Sequence, residues 1–71
     1  MRSRFDEEMA LLHRELIQMG ALCEEAIALT AKALDGEPRL AARVPALESA
    51  IDQAERDIEA LCLKLLLRQQ P

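Results

Sequence analysis

The stretch Asp35-Gly36-Glu37-Pro38 divides this sequence of 71 residues into two arms of similar length. Glycine readily adopts the left-handed conformation that ends many helices, and proline is tolerated at the first position of the helix that follows. The stretch therefore predicts the end of one helix and the start of another. We expect helix 1 over about residues 3–34, a turn over 35–38 and helix 2 over about 39–69, all within one domain over 1–71.

The composition of both arms favours helix. Apolar residues make up 51% of the chain and charged residues 31%, whereas valine and threonine, which favour strands, are rare. The net charge is -4, and tryptophan and tyrosine are absent from the sequence. Such a chain brings neither the positive charge nor the aromatic stacking surface that nucleic acids require. We therefore expect no nucleic-acid partner.

The positions of the charged residues also predict the cellular compartment of the protein. Arg2 and Arg4 are followed directly by three acidic residues, where a secretory signal needs an apolar core. The longest apolar stretch, residues 61–67, is interrupted by Lys64 and is far shorter than the ~20 residues of a membrane helix. We expect a cytoplasmic protein without membrane insertion, in which both cysteines stay reduced.

Apolar residues recur in alternating steps of four and three along both arms. This period is typical of helices that pack side by side, and a four-residue connection makes such neighbours antiparallel. We therefore expect an all-α fold, an antiparallel two-helix hairpin. The expected contact positions are Phe5, Met9, Leu12, Leu16, Met19, Cys23, Ala26, Thr30 and Ala33 in helix 1, and Leu40, Val44, Leu47, Ile51, Ala54, Ile58, Leu61 and Leu65 in helix 2.

Two residues interrupt this pattern. Gly20 destabilises a helix interior by about 1 kcal/mol relative to alanine, and we interpret it as a place where another helix backbone comes close. Pro45 either kinks helix 2 or separates residues 39–43 as a short turn, with the main helix starting at about Val44. We favour the kink.

The chain has more apolar surface than one helix–helix contact can bury, and chains of this size rarely fold alone. We expect further helices from the same polypeptide or from a second copy, and hence a homo-oligomer. Leu66 is expected to be buried at the open end of the hairpin, and Arg68 to be exposed and tolerant of substitution. The apolar residues outside the contact positions are Leu11, Ile17, Leu22, Ile27, Leu34, Cys62, Leu63, Leu66 and Leu67.

Three carboxylates form a stripe along helix 2. Glu48, Asp52 and Glu55 occupy positions i, i+4 and i+7 beside the contact positions. Carboxylates one turn apart can share a hard or borderline cation, although solvated helices carry the same spacing. Because like charges repel, the stripe indicates a cation or a basic neighbour, for which Arg56 is the local candidate.

Catalytic chemistry is not indicated. His13 is the only histidine, and no acid, base and nucleophile can be combined into a catalytic set. The sequence also has neither a glycine-rich phosphate loop nor the cysteine and histidine spacing of a zinc site. We expect no enzyme, and no phosphate binding by the chain itself.

Several segments, taken in order, resemble the first two helices of PhoU proteins. The resemblance covers the whole chain and is moderately specific in combination. The segments that carry it are Met-Arg-Ser-Arg-Phe-Asp-Glu-Glu at 1–8, Leu-Ile-Gln-Met-Gly at 16–20, Glu-Glu-Ala-Ile at 24–27, the run 47–59, Cys62, and the closing residues 65–71.

The resemblance implies a cytoplasmic regulator of phosphate uptake. Such proteins act as adaptors between a phosphate ABC transporter and a sensor histidine kinase, and they repress the phosphate-starvation response. Their fold is two tandem three-helix bundles with acidic motifs that hold metal ions. Under this resemblance Glu48, Asp52 and Glu55 are metal ligands, for Fe, Mn, Mg or Ca in the intact fold.

The chain departs from the family pattern in two respects. It ends where a third helix with the partner acidic motif would begin, and it carries Pro45. The resemblance therefore implies part of a three-helix bundle, completed by further sequence or by oligomerisation. The alternative is a structural or oligomerisation hairpin without autonomous regulatory activity.

Overall fold

The computed structural model describes residues 3–69, which form two antiparallel helices and a short connection. Helix α1 spans Arg4–Leu34, a 3₁₀ helix spans Pro38–Arg43, and helix α2 spans Val44–Arg68. The molecule measures 56 × 20 × 13 Å, so it is one helix layer thick. The expected all-α hairpin is confirmed.

The N-terminus of α1 is fixed by a reciprocal cap. The side chain of Ser3 accepts a hydrogen bond from the backbone N–H of Asp6 at 3.1 Å. The carboxylate of Asp6 in turn accepts from the backbone N–H of Ser3 at 3.4 Å. This capping box satisfies two backbone donors that have no partner inside the helix, and it explains why α1 begins at Arg4.

The turn ends α1 through glycine. Gly36 has a φ of 93°, which side chains other than glycine adopt only with strain. This conformation lets the N–H of Glu37 donate to the carbonyl of Lys32 at 3.1 Å, while the N–H of Asp35 donates to the carbonyl of Ala31 at 3.0 Å. The last carbonyls of α1 are thereby satisfied in the manner of a Schellman motif.

The region before α2 corrects the favoured prediction. Helix 2 is not a single helix from residue 39 with a kink at Pro45, because residues 38–43 form a separate 3₁₀ helix and α2 begins at Val44. Pro45 is the second residue of α2, where a backbone N–H has no partner within the helix. The proline ring therefore removes no helical hydrogen bond, and it favours a helix start at this point.

The core lies along one stripe of each helix. The buried residues are Leu29 of α1 and Ile58, Leu61 and Leu65 of α2, with 6–9% of their surfaces exposed. Every contact position expected for helix 2 is buried or half-buried.

Six of the nine contact positions expected for helix 1 are half-buried, but the other three are not. Phe5, Leu16 and Thr30 were expected at the contact but are exposed. Leu29, the buried residue of α1, belongs to a neighbouring stripe with the same spacing, which shares Leu12, Met19, Ala26 and Ala33 with the expected positions. This inner stripe consists of Glu8, Leu12, Glu15, Met19, Leu22, Ala26, Leu29 and Ala33.

The open end of the hairpin differs from the expectation at one position. Leu61 and Leu65 are buried as expected, with 8% and 6% exposed, but Leu66 is 66% exposed. Leu66 follows Leu65 by one residue and is therefore turned about 100° away from the α1 contact. Two helices leave this side of α2 uncovered.

Candidate functional site

The two broad faces of the hairpin differ in chemistry. One of them, which we call the back face, carries the ion pairs that connect α1 with α2 and with Arg43, the residue before α2. Arg43 lies 4.0 Å from the carboxylate of Glu25, and Lys64 lies 3.7 Å from that of Glu8. Arg68 also donates to the carboxylate of Glu8. These pairs join the helices near both ends of the hairpin.

Glu8 is the titratable group that the fold perturbs most clearly. Only 12% of its side chain is exposed. Burial alone would raise its pKa, but the hydrogen bond and positive charge of Arg68, together with the charges of Lys64 and Arg4, outweigh that effect and lower the pKa. The fold therefore favours the ionised form of this carboxylate.

The opposite surface, which we call the open face, is apolar along α1. Met9 and Ile27 are 18 residues apart, which is five helical turns, so they lie on the same side of α1. The open face is defined by Phe5, Met9, Leu16, Ile27 and Leu34 of α1 and by Cys62 and Leu66 of α2.

Two shallow depressions mark the ends of the open face. The first lies near the turn and is lined by Ile27, Thr30, Leu34 and Glu48, among others. The second lies at the open end and is lined by Phe5, Met9, Leu12, Cys62, Leu65, Leu66 and Gln69. Both depressions are lined mainly by apolar side chains.

Exposure along this face is high for side chains of this type. Ile27 is 71% exposed, Leu34 is 84% exposed and Leu66 is 66% exposed. A contiguous apolar surface of this kind on a small chain marks an interaction site. The open face is therefore the candidate functional surface of the hairpin.

The acidic stripe predicted from the sequence borders the open face. Glu48, Asp52 and Glu55 are all exposed on α2, and Glu48 lines the depression near the turn. In the part of the chain that the structure describes, none of the three takes part in an ion pair. The stripe thus presents negative charge beside an apolar surface.

The predicted basic neighbour of the stripe has a different partner. Arg56 donates to the side chain of Gln53 at 3.0 Å, and Gln53 donates to Asp57 at 2.9 Å. Among residues 3–69, no three histidine, cysteine, aspartate or glutamate side chains come together in a way that could hold a metal ion. The assignment of Glu48, Asp52 and Glu55 as ligands stays a prediction.

One polar feature between the helices was missed by the sequence reasoning. Glu15 lies on the inner stripe and lines a groove with Asp57 and Lys64. One of its carboxylate oxygens is buried without a hydrogen-bond partner among the described atoms. The available signal was the seven-residue spacing of Glu8 and Glu15 within an otherwise apolar series, which places both on the side of α1 that faces α2.

Gly20 lies beside Leu16 on the open side of α1. No heavy atom beyond its immediate helical surroundings lies within 4 Å of the position that a Cβ atom would take there. The close approach of another helix that the sequence predicts at Gly20 is therefore not made by α2.

Over residues 3–69, neither helix is long and apolar enough to cross a membrane. The sequence profile of the PhoU domain matches residues 16–71. No solved structure matches the chain significantly.

Three curated relatives are similar to nearly the whole chain, and each is named a phosphate-specific transport system accessory protein PhoU homolog. The protein from Rhizobium meliloti is 34% identical over 70 residues, covering 97% of this chain and 30% of the relative. Those from Pseudomonas aeruginosa and Pseudomonas putida are each 33% identical, covering 96% of this chain and 28% and 27% of the relatives. The chain thus spans less than a third of the length of these relatives.

Proposed function

Because this chain belongs to the PhoU family, we propose that it is a helical module of an accessory protein that regulates phosphate uptake. The observation that carries the proposal is the identity of 33–34%, which extends over 96–97% of the chain rather than over one motif. The hairpin, its turn and its open face all fall within the matched region.

In this proposal the module works as an adaptor in the cytoplasm. It docks on a phosphate ABC transporter and on a sensor histidine kinase, and so couples phosphate uptake to repression of the starvation response. The open face supports an adaptor role, since it offers apolar surface that the hairpin itself does not use. The acidic stripe beside it adds the charge that gives such contacts their specificity.

The acidic stripe is proposed to provide half of a metal site. Glu48, Asp52 and Glu55 supply oxygen ligands, which suit Fe, Mn, Mg or Ca. One helix offers too few ligands for the six or more oxygens that hard cations take. The remaining ligands would come from a further helix of the intact fold or from a second copy, so this hairpin alone would bind metal weakly.

A phosphate-starvation reporter in a bacterium that lacks its own PhoU gene tests the regulatory role. Expression of the 71-residue chain should lower reporter activity at high phosphate. The variant Ile27→Asp, at an exposed position of the open face, should abolish this repression while leaving the hairpin folded. The matched variant Gln18→Asp, on the opposite side of α1, should keep it.

The alternative is a purely structural hairpin, which would assemble without affecting the reporter. Full reporter activity in cells that accumulate the folded chain would reject the regulatory proposal for this hairpin. Affinity capture of the transporter and the kinase by the wild-type chain, but not by Ile27→Asp, should accompany repression.

A further inference from the structure

The side of α1 that meets α2 has a central line of residues with a flank on either side. The central line belongs to both of the stripes described above and consists of Leu12, Met19, Ala26 and Ala33. The inner flank, which completes the stripe that packs on α2, consists of Glu8, Glu15, Leu22 and Leu29. The outer flank consists of Met9, Leu16, Cys23 and Thr30. Each outer residue directly follows an inner one and is therefore turned about 100° from it around the helix.

Near the turn, apolar packing alone favours the inner flank. The inner residues there are Leu22 and Leu29, whereas the outer residues are Cys23 and Thr30. Two leucines bury more apolar surface than a cysteine and a threonine, so they stabilise a contact more. The burial of Leu29 agrees with this preference, since only 6% of its surface is exposed.

Toward the open end, the apolar preference is reversed. The inner flank there carries Glu8 and Glu15, whereas the outer flank carries Met9 and Leu16. Burial of apolar surface alone would turn this half of α1 so that its outer flank packed on α2. The structure shows the opposite arrangement, in which both glutamates are half-buried and Leu16 is 42% exposed.

Two cations of α2 account for this arrangement. Lys64 lies 3.7 Å from the carboxylate of Glu8, and Arg68 donates a hydrogen bond to it. Lys64 also lines the groove beside Glu15, so the same cation serves both carboxylates of the inner flank. Turning the outer flank toward α2 would carry Glu8 away from both cations and break a charge-assisted hydrogen bond, which is among the stronger polar contacts.

We infer that Glu8, held by Arg68 and Lys64, is a specificity-determining residue that keeps the inner flank of α1 on α2 at the open end of the hairpin. Polar contacts between helices can fix their relative position even where they add little stability. The side of α1 that carries Leu16 is thereby kept off α2. This inference goes beyond the proposed regulatory role, since it concerns the rotation of α1 and not the response to phosphate.

Alkylation of a thiol on the outer flank measures this rotation in the 71-residue chain. The thiol is Leu16→Cys in a background without the native cysteines, and N-ethylmaleimide should label it readily while Glu8 is present. Glu8→Lys places a third cation beside Lys64 and Arg68, so the outer flank should turn toward α2. Labelling should then slow about fivefold or more, because a packed thiol reacts only when the contact opens.

Two further variants make the test specific. Ile17→Cys is the matched control, since Ile17 is 72% exposed, and Glu8→Lys should leave its labelling rate unchanged. Reversal of all three charges, in Glu8→Lys with Lys64→Glu and Arg68→Glu, should restore fast labelling of Leu16→Cys.

A contribution of Glu8 to stability alone gives a different result, because a loosened hairpin exposes its thiols and labels faster. Labelling of Leu16→Cys that is unchanged or faster in Glu8→Lys would therefore overturn the inference, including when circular dichroism shows that this variant is unfolded. Labelling that stays slow after all three charges are reversed would also overturn it.

Discussion

Arg68, at the last turn of α2, donates a hydrogen bond to the carboxylate of Glu8, sixty positions earlier in the chain. Lys64 lies 3.7 Å from the same oxygen, so two cations converge on one carboxylate. The Arg68–Glu8 pair connects the start of α1 with the end of α2, at the end of the hairpin that lies farthest from the turn. The sequence does not reveal this role of Arg68, which was expected only to be exposed.

Replacement of Arg68 is therefore expected to be harmful, contrary to the tolerance expected from its exposure. Arg68→Ala removes the donor that holds Glu8, whose side chain is only 12% exposed, and leaves Lys64 as the remaining ion-pair partner of that carboxylate. Urea unfolding at neutral pH should show a lower midpoint for Arg68→Ala than for wild type. Arg14→Ala, an exposed arginine without an ion pair among the described residues, provides the control and should leave the midpoint nearly unchanged.

The stability of the hairpin should depend on the ionisation of Glu8. Because the fold lowers the pKa of Glu8, its contribution is complete above the unfolded-state pKa of about 4.3. The contribution is lost as the pH falls through the lower, folded-state pKa. The difference in urea midpoint between wild type and Glu8→Gln should thus shrink below about pH 4. A difference that stays constant from pH 7 to pH 3 at fixed protein concentration would contradict this linkage.

Replacing a leucine by alanine should lower the unfolding free energy at buried positions and leave it nearly unchanged at an exposed one. Leu61→Ala and Leu65→Ala each remove a side chain that is at least 92% buried in the contact with α1, and each should cost roughly 2–5 kcal/mol in unfolding free energy. Leu63→Ala is the matched control, because Leu63 is 61% exposed, and it should change stability by no more than about 0.5 kcal/mol. Equal losses at Leu61 and Leu63 would show that the stripe facing α1 has been misassigned.

Pro45→Ala distinguishes a helix start from a kinked helix. At the second residue of α2 the proline breaks no hydrogen bond, and its rigid ring restricts the unfolded chain. We therefore expect Pro45→Ala to lower the unfolding free energy by about 1 kcal/mol or less. A gain approaching 3 kcal/mol would indicate a continuous helix through this region. Amide hydrogen exchange over residues 38–46 would locate any extension of α2.

The acidic stripe should bind metal only when further ligands are present. Calorimetric titration of the 71-residue chain with Mn²⁺ is expected to show weak binding or none, since the described residues bring no three ligands together. A longer protein that includes the next helix should bind Mn²⁺, and Glu48→Gln/Asp52→Asn should abolish that binding. Equal heats of Mn²⁺ binding for the longer protein and its double variant would show that these carboxylates are not metal ligands.

The sequence predicted α2 better than α1, and the difference has a physical cause. Between residues 44 and 59, helix α2 has one stripe of large apolar residues, flanked by the carboxylates from Glu48 to Glu59, so its period identifies a single core side. Helix α1 has two neighbouring apolar stripes with the same 3.5-residue spacing. The stripe chosen from the sequence contains Phe5 and Leu16, whereas the one that packs on α2 contains Glu8 and Glu15.

By hydrophobicity alone, the stripe with Phe5 and Leu16 would be expected to pack on α2, whereas the stripe with Glu8 and Glu15 does so. Glu8 occupies the inner stripe because Lys64 and Arg68 reach it from α2, and such a pairing between distant parts of the chain is invisible in helical periodicity. Phe5 and Leu16 of the more apolar stripe remain exposed because the hairpin supplies only one partner helix. The carboxylates of the acidic stripe are exposed, and their position beside the open face could be seen only in the structure.

Gly36 turns the chain out of α1 in the left-handed conformation, and the 3₁₀ helix Pro38–Arg43 leads it into α2. With the helices joined in this way, α2 covers the inner stripe with its two glutamates and leaves the side of Leu16 and Ile27 exposed. One residue without a side chain thus stands where the chain reverses, and the side of α1 that the reversal leaves uncovered is the more apolar one.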